Sequence, residues 1–238
     1  MSWLIDSGFQ GDRALDVGTG SGRVAQELAA TYREVVGIDR TVDRAAPHPG
    51  VTFLAMDAER LDFPDASFDL VSISWALHHL ENPTAVLLEM ERVLKPGGRF
   101  LITEPFVAQT GTNQDLHLAA HQLLGEADRL RGTAHFPVFE RLQIGSVIQG
   151  LNLVDLHYDP LMAVPEELDW AAETCREAAA PWIKKLTAED FPSPLQSRAK
   201  ALVERLAADG IRTSPAMRTY GTKVRPRLSS PDQKQGNS

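Results

Sequence analysis

The stretch ALDVGTGSGRVAQELA, residues 14–29, constrains the fold more than any other part of this chain. An apolar strand signal around Leu15-Asp16-Val17 runs into Gly18, Gly20 and Gly22, and then into an apolar-periodic helix. Glycines let one backbone approach another or a ligand, and the first N–H groups of a helix have no partner within it. A strand, glycine turn and helix in this order therefore leave donors pointing into a crevice, which suits a nucleotide. Spacing narrows the choice. A dinucleotide fingerprint G-x-G-x-x-G is not met, because Arg23 stands where its last glycine belongs, and the G-K-[ST] of a phosphate-binding P-loop is missing.

Strand and helix signals alternate after this turn: ALDV, GRVAQELAATY, EVVGID, VTFLAMD, FDLVSIS, TAVLLEMERVL and GRFLITEP. The strands are apolar without alternation, as in a parallel sheet covered on both faces, so the pattern predicts a doubly wound, Rossmann-like α/β fold. In such folds ligands bind at the carboxyl ends of the strands. The helix Thr84 to Leu94 carries apolar residues at Val86, Leu87, Met90, Val93 and Leu94, starts after Asn82-Pro83 and stops at KPGG. Between Asp39 and Val51 the chain has room for at most a turn or so of helix.

Beyond Pro105 the rhythm changes. Residues 106–150 read as helical with a polar start QTGTNQD, GLNLVDLHYDP as a strand, the following proline-bearing stretch as helical, and MRTYGTKVRP as a last strand. The two late strands are expected to pair antiparallel around a helical insertion at 159–213. Residues 1–225 are expected to form one domain, with 106–145 as a lid, and the apolar-free tail 226–238 to be disordered.

Composition excludes several functions. The formal net charge is −8, which disfavours nucleic acid as a partner, since binding a polyphosphate needs a basic face. The eight basic residues between Arg198 and Arg227 read as a solvated helix face and terminal strand. No run of apolar residues reaches membrane-spanning length, and the N-terminus has no signal-peptide pattern. A single cysteine, Cys175, permits no intrachain disulfide or cysteine-cluster metal site and points to a reducing, cytoplasmic compartment.

An acid two residues before the first glycine (Asp16), the G-x-G-x-G turn, and a second acid closing the next strand (Asp39) together resemble the class I S-adenosylmethionine-dependent methyltransferases. MDAERLDFPDASFDLV resembles the family's third-strand segment and approach to strand four, and LLEMERVLKPGGRFLITEP its fifth-strand element. The similarity covers residues 14–105 and is closest to the ubiquinone/menaquinone-biosynthesis-like subgroup. It implies S-adenosylmethionine as cofactor, S-adenosylhomocysteine as product and methyl transfer to a small-molecule acceptor. A non-catalytic cofactor-binding or scaffold protein of the same fold is the alternative, and a nucleotide-dependent dehydrogenase a weaker third.

Physical roles follow for the residues at these positions. Gly18, Thr19 and Gly20 would let the cofactor lie against main chain, and Asp16 would either influence its ammonium or order the loop. Asp39, with Arg40 beside it, would accept from the ribose hydroxyls. The resemblance implies that Asp57 accepts from the adenine amino group while the Ala58 N–H reads the ring; capping the next turn is the other use of Asp57. Ser74 and Trp75 follow strand four, where the methyl group should sit. His79 and Glu104 are the catalytic candidates, with His78 and His79 open to a general-base or a packing role. His117 and His121, four apart, are expected on a partly exposed helix face; lacking a clear third ligand, they are not read as a metal site. Trp170 and Trp182 read as core.

Overall fold

The computed structural model describes residues 8–43, 45–107, 112–133, 135–137, 139–161, 172–211 and 216–225. The expected tail, Trp170 and the start of the expected lid at 108–111 lie outside the described residues. In chain order the elements are β1 (Gly11–Val17), α1 (Arg23–Leu28), β2 (Tyr32–Asp39), β3 (Val51–Ala55), β4 (Phe68–Ser74), a 3₁₀ turn (Leu77–His79), α2 (Pro83–Val93) and β5 (Leu94–Val107). They continue as α3 (Thr112–Leu130), β6 (Phe139–Glu140), α4 (Arg141–Val147), β7 (Leu153–Leu161), α5 (Ala172–Ala188), α6 (Ser193–Asp209) and β8 (Ala216–Lys223).

The main sheet runs in the order β3-β2-β1-β4-β5-β8-β7, with β6 paired to β5 off this path. Strands β1 to β5 are parallel, and β8 is antiparallel to both β5 and β7, so the two late strands pair as expected. Alternate residues of the inner strands β1, β2, β4 and β5 feed two cores, which is why their sequences show no polar face. Leu15, Val17, Val36, Ile38, Val71 and Ile73 pack with Val86, Leu87 and Met90 of α2. On the other face Ala14, Val35, Leu70 and Leu101 pack with Ala25 and Leu28 of α1. A third cluster belongs to the added helices: Leu116 and Ala120 of α3 meet Ala179 and Leu186 of α5 and Leu195 and Leu202 of α6.

Local chemistry explains most boundaries. Asn82 caps α2 by accepting from the Ala85 N–H at 3.1 Å, and Pro83 occupies the first turn, where its missing N–H costs nothing. Helix α1 is shorter than its periodicity suggests, because the chain turns at Ala29–Thr31 to enter β2. The KPGG stretch lies within β5 and coincides with a register shift against β4, instead of preceding the strand. Described residues between β2 and β3 form turns but no helix. No described helix is long and apolar enough to cross a membrane.

Candidate active site

The strand order reverses between β1 and β4: the chain moves from β1 outward to β2 and β3, then returns to β4 on the other side. That is the place where an open α/β sheet forms a crevice at its carboxyl end. The two loops that border it touch. A Cβ built on Gly18 would lie 2.5 Å from the Ala76 Cβ, so Gly18, at φ +66°, is required by the packing of the β1 turn on the β4 turn. Gly20 differs, because at φ +54° a Cβ there would meet nothing within 4 Å. Gly18 holds the crevice together, and Gly20 keeps it open.

Two acids organise the turn. Asp16 is 2% exposed and accepts from the Thr19 hydroxyl at 2.8 Å and the Ser72 hydroxyl at 2.9 Å. Burial pushes its carboxyl up to about 6, against the pull of those hydroxyls. Both oxygens are thus engaged inside the protein, which is the loop-ordering arrangement. Asp39 ends β2 and accepts from the Gly20 N–H at 2.8 Å and from the Arg40 N–H at 2.7 Å. A carboxylate has about four acceptor sites, so about half of its capacity is left beyond these two bonds. Asp57, just past β3, accepts from the Glu59 N–H at 2.9 Å and so caps its turn, with its second oxygen outside that bond. Asp57 and Arg40 are exposed, whereas Ala58 and Ser74 are half-buried.

Beyond β4 the backbone is strained. Trp75 has φ +56°, uncommon for a bulky residue, and is held there by its N–H donating to the Thr103 carbonyl at 2.8 Å. Its ring meets His117 edge-on with centroids 6.2 Å apart, and His117 meets Trp182 at 4.7 Å. On the α3 face expected to be partly exposed, His117 is instead turned inward and only 5% exposed, while His121 is half-buried. The apolar cluster shared by α3, α5 and α6 orients that face, because Leu116 and Ala120 pack against α5 and α6. Trp182 forms a wall shared with both histidines as well as packing against that cluster.

Glu104, at the end of β5, is fully buried. It accepts from the Leu77 N–H at 2.8 Å and pairs with His78 Nδ1 at 2.7 Å. The partner of Glu104 is thus His78, whereas His79, the sequence candidate, is exposed. An analogous pair lies nearby: His135 Nδ1 bonds Asp128 at 2.8 Å. Neither Asp128 nor His78 as the partnered histidine was legible in the sequence: the first pairing depends on the fold of the chain after β5, the second on the 3₁₀ turn after β4.

Burial lowers the His117 imidazole from 6.5 to about 4, so it is neutral at pH 7. With its folded pKa depressed, stability is lost as pH falls from 6.5 toward 4: the unfolded chain takes up a proton that the folded chain refuses. The contribution at neutral pH is on the order of 3 kcal/mol. Thermal unfolding at pH 7 and pH 5 should show a smaller acid loss for His117→Gln than for the parent, and equal losses would contradict this burial.

Residues 15–102 match the family model of a methyltransferase domain. The chain is 40% identical over 98 residues to a demethylmenaquinone methyltransferase of Beutenbergia cavernae, covering 40% of this chain and 41% of that protein. It is 31% identical over 174 residues to the ubiquinone/menaquinone biosynthesis C-methyltransferase UbiE of Ectopseudomonas mendocina, covering 62% and 68% respectively. Among solved structures, the YcgJ protein of Bacillus subtilis is similar with a TM-score of 0.61 at 20% identity, over 94% of this chain and 97% of that one. A Haemonchus contortus phosphoethanolamine N-methyltransferase, in complex with S-adenosylhomocysteine, is similar with a TM-score of 0.57 at 19% identity, over 93% of this chain and 52% of that one. The match to the Beutenbergia cavernae relative spans about two fifths of that protein's length. The shared segment runs from the glycine turn through β5, and with the long match to the Ectopseudomonas mendocina enzyme it places this chain in the class I S-adenosylmethionine-dependent methyltransferase family, among the ubiquinone/menaquinone-biosynthesis-like members.

Proposed function

We propose that the protein transfers a methyl group from S-adenosylmethionine to a small-molecule acceptor. The observation that carries this reading is the open turn at Gly20, where a side chain would have free space, beside an Asp39 carboxylate with acceptor sites to spare. These residues fit the cofactor's requirements: main chain that a ligand can approach, and an acid at the end of β2 for a vicinal diol. Bound there, S-adenosylmethionine supplies an activated methyl on a sulfonium.

The chain's own residues do the rest. Gly18, Thr19 and Gly20 offer backbone to the amino-acid and ribose parts, and Asp16 sets their turn from beneath. Asp39, next to Arg40, accepts from the ribose hydroxyls; Asp57 accepts from the adenine amino group beside the Ala58 N–H. Ser74 and Trp75 border the methyl, and the ring cluster of Trp75, His117 and Trp182 would meet the acceptor beside it. Methyl transfer needs chiefly in-line placement of acceptor and methyl, which a rigid aromatic cluster provides. Glu104 acts as a positioning residue, holding the Leu77–His79 turn. The lone, buried Cys175 supports a cytoplasmic setting.

Asp39→Ala should lose two charge-assisted hydrogen bonds to the ribose, each about 1.5–3 kcal/mol, and weaken cofactor affinity at least about tenfold. An unchanged dissociation constant in the folded variant would remove Asp39 from the site. The reaction itself is tested by a screen of small-molecule acceptors with methyl-labelled S-adenosylmethionine. Label appearing in an acceptor supports the reading; cofactor binding with no transfer to any acceptor class would favour the non-catalytic alternative.

A further inference from the structure

Between the β4 turn and the loop after α3, three histidine rings converge on one point. His78 and His79 rings lie 4.2 Å apart, His79 and His135 4.3 Å, and His78 and His135 5.7 Å. One ring nitrogen of each lies within 4.8 Å of those of the other two. We propose that His78, His79 and His135 bind one divalent transition-metal ion of the zinc or cobalt class.

Hydrogen bonding on the far side of the rings carries the proposal. Glu104 already accepts from the Leu77 N–H, and as a carboxylate it accepts from His78 Nδ1, so that nitrogen carries the proton and Nε2 presents a lone pair. Asp128 does the same for His135 through Nδ1 at 2.8 Å. Two rings thus have the carboxylate–imidazole arrangement that fixes the tautomer and raises the basicity of a metal ligand. His78 Nε2, the nitrogen left free of Glu104, is buried and has no hydrogen-bond partner within the protein, although its side chain is fully inaccessible. A polar atom buried in this state costs about 1–3 kcal/mol unless something binds it. Glu104 and Asp128 also supply negative charge against a dication.

The framework is built to hold the rings there. The Phe136 N–H donates to the His78 carbonyl at 2.8 Å, tying the two ligand-bearing loops together. His135 packs against α3 at Gly125, where a Cβ would lie 2.9 Å from the ring. A tetrahedral zinc with its usual bonds to imidazole needs ligand nitrogens about 3.3 Å apart, so the three rings, whose nitrogens lie within 4.8 Å of one another, would draw together on binding. Three imidazoles select zinc, cobalt, nickel or copper over magnesium or calcium, and leave a fourth position for water or a ligand oxygen.

The test uses the untagged 238-residue chain, stripped with chelator and titrated with cobalt(II). One equivalent should bind and develop the visible bands of tetrahedral cobalt, and zinc should displace it. His135→Gln should weaken cobalt binding at least about a hundredfold, and Asp128→Asn about tenfold. Glu104→Gln is more discriminating. Its carbonyl must face the Leu77 N–H, so its amide NH₂ faces His78 Nδ1 and forces the proton onto Nε2, abolishing ligation without removing a ligand. His48→Gln, on an exposed loop, should bind as the parent does. A parent that develops no tetrahedral bands, or a His135→Gln variant that binds like the parent, would overturn the proposal. S-adenosylhomocysteine affinity measured on the same preparations keeps the two readings separate: a protein that takes cobalt but not the nucleoside retains the metal site and loses the methyl-transfer function.

Discussion

Gly20→Asn should fold almost as the parent does and bind S-adenosylhomocysteine at least about a hundredfold more weakly, a loss of about 2.7 kcal/mol. The backbone at this position has φ +54°, and asparagine tolerates the left-handed region better than other side chains, so the native turn is kept at small cost. Its Cβ points into open space, so no packing is disturbed. What the side chain removes is the approach of a ligand to the turn. Gly18→Ala provides the contrast: its methyl would sit 2.5 Å from the Ala76 Cβ, and the variant should lose stability. Calorimetric titration and thermal unfolding of both variants check the pair. If Gly20→Asn bound as tightly as the parent, the ligand would not lie against this turn.

Glu104→Ala should be the most destabilising single change in the crevice, costing about 3–5 kcal/mol and lowering the melting temperature by on the order of 10 °C. Glu104 is 0% exposed and accepts from both the Leu77 N–H and His78. Truncation leaves those donors buried without an acceptor and opens a cavity where the carboxylate stood. Glu104→Gln retains the bond to Leu77 and should lose less. A melting temperature within about 2 °C of the parent for Glu104→Ala would mean that the β4 turn does not depend on this carboxylate.

The inner strands β1, β2, β4 and β5 were legible because parallel strands covered on both faces are nearly continuously apolar, and FDLVSIS maps onto β4 residue for residue; β3, at the sheet edge, is apolar although largely exposed. The glycine turn and the acids at Asp16 and Asp39 were legible for the same local reason: each sits at the end of a strand whose position the pattern fixes. The cover over the crevice was not. The inward rotation of His117 depends on α3 packing against α5 and α6, contacts between segments some sixty to eighty residues apart that periodicity cannot anticipate. The choice of His78 over His79 as the partner of Glu104 is set by a 3₁₀ turn of three residues, in which neighbouring side chains diverge. His135 follows His117 and His121 in the sequence, but its partner Asp128 shows only once the chain has folded.

The crevice between the β1 and β4 turns is expected to bind S-adenosylmethionine and its product. Isothermal titration of the parent protein with S-adenosylhomocysteine and, separately, with NAD tests it most directly. One equivalent of S-adenosylhomocysteine should bind, weakened in Asp39→Ala and lost in Gly20→Asn, and NAD should produce no saturable heat. Saturable binding of NAD with none of S-adenosylhomocysteine would contradict the account.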